Sequence, residues 1–94
     1  MADAKLHVVV YDVTSDKTRG RVARGLEELG VRVQRSVFEA RGDTGAILRA
    51  VEKLALTLDA GDSIRVYPLP HSSIALVEVF GSAVRPENGD YYLL

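Results

Sequence analysis

From Lys5 to Arg41 the chain reads KLHVVVYDVTSDKTRGRVARGLEELGVRVQRSVFEAR, and this stretch decides the fold. Its opening, Lys5 to Asp12, is short and valine-rich, with apolar residues at both parities. Side chains alternate across a strand, so such a segment predicts a central strand covered on both faces. Within Thr18 to Leu29 the period changes: Val22, Gly25, Leu26 and Leu29 fall at i, i+3, i+4 and i+7, the apolar stripe of a helix. Arg21, Arg24 and Glu28 lie toward its other side. Asp16 or Thr18 is the expected N-cap, and Gly30 is placed to end the helix in a left-handed conformation before Val31 opens a strand.

Val31 to Arg41 is too long and too alternating for one ordinary strand, and the break at Arg35 to Val37 predicts two strands joined by a tight turn or bulge. After Asp43, the residues Ile47, Leu48, Val51, Leu54, Ala55 and Leu58 predict a second amphipathic helix that ends before Gly61. Ser63 to Tyr67 reads as a strand, Pro68 to Ser73 as a rigid loop, and Ile74 to Phe80 (IALVEVF) as a final strand. The expected fold class is α+β, a ferredoxin-like β-α-β-β-α-β sandwich with an additional C-terminal strand. One domain is assigned to residues 1–81, with a tail at 82–94 that could dock on a dimer mate or another partner.

In such a fold the helices cover one face of the sheet. Apolar residues at both parities of the first and last strands predict that the uncovered face is apolar too, and a patch of that kind marks an interface. Closed twofold symmetry is the commonest way to cover it, so a homodimer is expected. Ninety-four residues allow one domain, and the 47% apolar and 27% charged composition is that of a folded chain. Cysteine is absent, which removes disulfides, thiolate metal sites and thiol redox chemistry. The apolar run Val8 to Tyr11 is far too short to cross a membrane or serve as a signal core, so a cytoplasmic protein is expected.

A net charge of -1 gives the chain no overall attraction to nucleic acid, but Lys17 to Arg41 holds seven basic residues against three acidic. Six of the seven are arginine, whose planar fork suits phosphate. Lys17, Arg19, Arg21 and Arg24 are therefore the nucleic-acid-binding candidates. Arg19 and Arg21 stand near a helix N-terminus, where a cation opposes the macrodipole and a ligand phosphate would explain it. Taken alone, the same charge run reads as a solvated face. Asp12 ends the first strand on a rigid support. Alone it reads first as a turn residue. If a dimer axis passes near this strand end, two Asp12 carboxylates converge, and magnesium is commonly held by one or two carboxylates with water. Such an ion supports phosphodiester hydrolysis. Asp16 reads first as a cap, His7 as a packed residue, and Tyr11, Tyr67 and Phe38 as core residues with some stacking potential. His71 has no partnered acid or nucleophile, and Gly20 and Gly25 lack phosphate-loop spacing.

Tyr11-Asp12 at a strand end, an arginine-rich helix opening, Gly30, Arg32-Val33-Gln34, Ser36-Val37-Phe38-Glu39 and the later SIRVYPL run from Ser63 together resemble the CRISPR-associated protein 2 family. The resemblance covers Lys5 to Phe80. It implies a homodimer whose Asp12 residues face each other across a metal, usually Mg2+, with Asp12 as catalytic residue and metal ligand. It further implies endonuclease activity on single-stranded RNA or duplex DNA in several members, and a place beside the CRISPR integrase subunit in spacer acquisition. By position, Arg19, Arg21, Ser36 and Phe38 correspond to residues around that site, and Tyr11 supports it. The alternatives are a non-catalytic DNA-binding scaffold of the integration complex, a small-molecule-binding regulatory domain, and a toxin-like ribonuclease.

Overall fold

The computed structural model describes residues 5–81. Strand β1 (Lys5–Asp12) leads into helix α1 (Asp16–Glu27), strands β2 (Val31–Gln34) and β3 (Val37–Gly42), helix α2 (Thr44–Ala55), strand β4 (Ser63–Leu69) and a single helical turn, α3 (His71–Ile74). The described strands form one antiparallel sheet in the order β2-β3-β1-β4. β1 is central, as its composition predicts, and β2 and β4 are its edges. The expected break in the Val31 to Arg41 run is a two-residue turn at Arg35 and Ser36.

From His7 onward the residues of β1 alternate between the two faces, while Leu6, of the other parity, is buried as well. Val9 and Tyr11 join Phe38 and Ala40 of β3 in one core with Val22, Ala23 and Leu26 of α1 and Ile47 and Val51 of α2. Ile64 and Val66 of β4 pack against the same core. His7 shares that parity and is fully buried, its ring nitrogens 3.0 Å from the Ala40 carbonyl and 2.9 Å from Thr44 Oγ1. Both ring nitrogens are satisfied, which is what lets a polar side chain stay in the core. Val8 and Val10 face the other way and remain partly exposed. The register puts Glu39 and Tyr67 beside Val8, and Val37 and Arg65 beside Val10. The uncovered face is thus an apolar strip with charged neighbours.

Several expectations need correction. The cap of α1 is neither Asp16 nor Thr18: Ser15 accepts the Thr18 N–H, and Thr18 is buried inside the helix. Gly30 is not left-handed, since the positive-φ glycines of the described residues are Gly42, Gly61 and Gly81. It is small because a Cβ there would stand 2.1 Å from the Glu39 carbonyl oxygen. The Ser63 strand runs on through Pro68 to Leu69, the proline being tolerated on an edge. Ile74 to Phe80 is not a strand: His71–Ile74 is a helical turn and the residues after it are irregular. Ile74 is buried and α3 lies against β1, so the chain makes a helical turn across the expected junction of loop and strand. The tail at 82–94 lies outside the described residues. No helix among the described residues is long and apolar enough to cross a membrane.

Candidate nucleic-acid and metal site

At the carboxyl end of β1 a cleft of about 730 Å³ opens between α1 and the β2–β3 turn. Tyr11 and Asp12 of β1, Arg19 of α1, and Arg32, Arg35 and Ser36 of the hairpin are among its walls. Tyr11 holds the hairpin to the strand. Its hydroxyl donates to the Arg35 carbonyl at 2.9 Å and its backbone N–H donates to the Ser36 carbonyl at 3.1 Å. Beneath the cleft the Arg32 guanidinium carbon sits 5.3 Å from the centre of the buried Phe38 ring, and Nη2 lies 3.4 Å from the Tyr11 hydroxyl. The flat guanidinium is held by the aromatic face and by that oxygen, an arrangement that suits the planar arginine group better than a lysine ammonium. Arg32 Nε is buried without a hydrogen-bond partner.

Asp12 has the opposite character. It shares parity with Val8 and Val10 and so belongs to the uncovered face, its position is exposed, and no hydrogen bond to its carboxylate occurs among the described residues. A carboxylate left open on a rigid strand end is available to a hard cation. Among the described residues no three His, Cys, Asp or Glu side chains converge as a metal cage. Of the two carboxylates that line the cleft, Asp16 is paired with Arg19 and Asp12 is left open.

Arg19 is committed to the protein. Its Nη1 donates to the Val13 and Thr14 carbonyls at 3.1 and 3.2 Å, and its Nη2 pairs with Asp16. The loop after Asp12 is thus held by the first turn of the helix it leads into.

A family model described as "CRISPR associated protein Cas2" matches residues 5–75. The chain belongs to the Cas2 family. A Chloroflexus aurantiacus protein named CRISPR-associated endoribonuclease Cas2 1 is 32% identical over 91 residues, covering 94% of this chain and 98% of that one. The solved Streptococcus pyogenes Cas2 structure matches with a TM-score of 0.67 at 32% identity, covering 81% and 99% of the two chains. A chain of a solved partial Cas6-RT-Cas1–Cas2 complex matches with a TM-score of 0.62 at 34% identity, covering 80% and 89%.

Against this Cas2 background, the residues singled out from sequence fall into groups. Tyr11, Asp12, Arg19 and Ser36 come together around the cleft, whereas Phe38 is fully buried under Arg32 and reaches no ligand surface. Lys17, Arg21 and Arg24 are exposed on α1 and do not line the cleft. Asp16 lines it but is paired with Arg19. Sequence reasoning did not single out Arg32 or Arg35 as site residues. The signal was the strand alternation itself, which puts Arg32 opposite Phe38 and on the helix-facing side.

Proposed function

We propose that this chain acts in CRISPR spacer acquisition as a homodimer, and that it is a Mg2+-dependent endonuclease whose Asp12 residues, one from each copy, share the metal. The observation that carries this reading is the position of Asp12. It is an exposed, unpartnered carboxylate on the sheet face that bears the apolar strip, beside an arginine-lined cleft. Two copies stacked through that face would bring a second carboxylate to the first. Magnesium takes oxygen ligands and keeps several waters, so two carboxylates match its needs without a full protein cage. The bound ion would supply charge stabilisation at phosphorus and a more acidic water. The endoribonuclease name of the Chloroflexus relative supports the nuclease assignment.

The protein's own groups have separate tasks in this reading. Asp12 binds the metal, Tyr11 and Arg32 hold the hairpin wall, and Lys17, Arg21 and Arg24 neutralise phosphates of DNA or single-stranded RNA from the exposed side of α1. Arg19 supports the Asp12 loop and offers the phosphate only what its loop contacts leave free. Leu76 and Phe80, 76% and 91% exposed, add apolar surface that a dimer mate or the integrase subunit would cover. A cytoplasmic location follows from the same reading.

The test is cleavage of single-stranded RNA and duplex DNA with Mg2+ or EDTA, comparing wild type with Asp12→Ala. Metal-dependent cleavage that falls at least 100-fold in the variant supports the nuclease, on the scale by which removing a catalytic group slows a reaction. Equal cleavage by both proteins, or none by either, removes it. A second reading, a DNA-binding scaffold beside the integrase subunit, is favoured by the match to a chain of a Cas1–Cas2 complex and by the lack, among the described residues, of three converging metal-ligating side chains. It predicts that spacer acquisition survives Asp12→Ala and is lost on reversing the charges of Arg21 and Arg24.

A further inference from the structure

We propose that Asp62 is a positioning residue for Asp12, clamping the loop that follows Asp12 to the connection between α2 and β4. The proposal rests on the reading of Asp12 as a metal-binding carboxylate. Asp12 and Ser63 are the last paired residues of the β1–β4 ladder. Beyond them the chain leaves the sheet, and its backbone groups must find other partners. The Thr14 N–H finds Asp62, donating to Oδ1 at 3.1 Å across 48 residues of sequence. The other oxygen, Oδ2, accepts the Asp59 N–H at 3.0 Å, while the Asp62 N–H donates to the Asp59 carbonyl at 3.0 Å. Asp62 is thereby fixed in its own turn before it reaches across to Thr14.

The same short loop is gripped from the other side, because Arg19 holds the Val13 and Thr14 carbonyls. Thr14 therefore has its N–H on an anion and its carbonyl on a cation, both charge-assisted hydrogen bonds and stronger than neutral ones. Asp12 has no such support for its side chain among the described residues, so its carboxylate is aimed by its backbone alone. A ligand group must be held to within about 0.5 Å to be useful. In a site shared by two copies, any drift of the loop is counted twice in the separation of the carboxylates. Both oxygens of Asp62 are committed to backbone N–H groups, which sets it apart from a metal ligand and makes it a brace.

The experiment uses the full chain and Mn2+ as the probe. Mn2+ binding is measured calorimetrically for wild type, Asp12→Ala, Asp62→Ala and Asp62→Asn, alongside Thr14 amide hydrogen exchange and thermal unfolding. Outer partners of metal ligands typically affect affinity 10–100-fold, so Asp62→Ala is expected to weaken Mn2+ binding by about tenfold. Thr14 exchange accelerates in that variant. Asp62→Asn keeps an oxygen for the Thr14 N–H and is expected to restore Thr14 protection and most of the affinity. Should Asp62→Ala not fold, Asp62→Ser, which keeps one oxygen for the Asp59 turn and loses the second that reaches Thr14, reads the coupling, since Thr14 protection and Mn2+ affinity must fall together. Faster Thr14 exchange with wild-type Mn2+ affinity overturns the proposal, as does lost affinity with Thr14 exchange unchanged. Equal Mn2+ binding by wild type and Asp12→Ala overturns the metal reading itself, a failure distinct from wild-type affinity in Asp62→Ala alone.

Discussion

Glu39 stands on the uncovered sheet face opposite Val8, and desolvation there pushes its carboxyl above the usual carboxylate range, against the opposing pull of Arg41. The folded state therefore holds the Glu39 proton more tightly than the unfolded chain does. Stability falls as pH rises from the ordinary glutamate range through the raised value, and the ionised side chain burdens the fold at neutral pH. Glu39→Gln removes that charge at nearly constant shape. It is expected to raise the urea midpoint at pH 7 while leaving the midpoint at pH 4 near wild type, a comparison made by denaturation at the two pH values. A variant that gains equally at both would show that the effect comes from packing. The same face carries Asp12, at the exposed end of β1, whereas Glu39 sits on an inner strand and bears the cost of its desolvation.

Gly30 shows how the right residue can be flagged for the wrong reason. Its place after an amphipathic stretch suggests a left-handed helix end, yet α1 finishes at Glu27 and the glycine is needed where the chain crosses against β3. Gly30→Ala forces its Cβ onto a backbone carbonyl, which no rotamer change can relieve, and an overpacking cost of about 1–3 kcal/mol is expected in chemical denaturation. An alanine that leaves stability unchanged would mean that β2 and β3 can separate freely from the end of α1. Periodicity located β1, α1, α2 and the β2–β3 hairpin because each buries one face in the same core, and local pattern and tertiary packing agree there. It failed at Ile74 to Phe80, whose alternating apolar residues have strand character but where Ile74 is buried in a helical turn lying against β1. Strand propensity expresses a fit to a half-buried surface, and within one chain that surface is missing for Leu76 and Phe80. At the site, the position of Asp12 at the end of β1 was visible because it closes an apolar run, whereas the role proposed for it comes from the family resemblance and the expected twofold symmetry. Arg32 and Asp62 were not visible, since the first depends on a ring contact across strands and the second on a hydrogen bond spanning 48 residues.

At the scale of the whole molecule, the proposed sharing of a metal by two Asp12 carboxylates depends on the uncovered face. Val8 and Val10 lie at the centre of the sheet with Val37 to one side and Tyr67 and Arg65 to the other, all pointing away from the helices. Tyr67, 48% exposed, extends the apolar strip toward the β4 edge. Val10→Asp tests this directly. Val10 is only partly buried and outside the main core, so the substitution is expected to preserve the circular dichroism spectrum and cooperative unfolding of the single chain. In a dimer stacked through this face, however, two new carboxylates would be buried near each other, and even with Arg65 beside each, taking these charges out of water costs several kcal/mol. Sedimentation is expected to show a dimer for wild type and a monomer for Val10→Asp at the same concentration. Metal-dependent cleavage should fall with dimerisation although Asp12 itself is untouched, while salt-sensitive nucleic-acid binding through the α1 arginines is reduced less, because that surface lies on the other side of the sheet. A monomeric variant that still cleaves would mean that a single Asp12 suffices, and a variant that remains dimeric would place the interface elsewhere on the molecule.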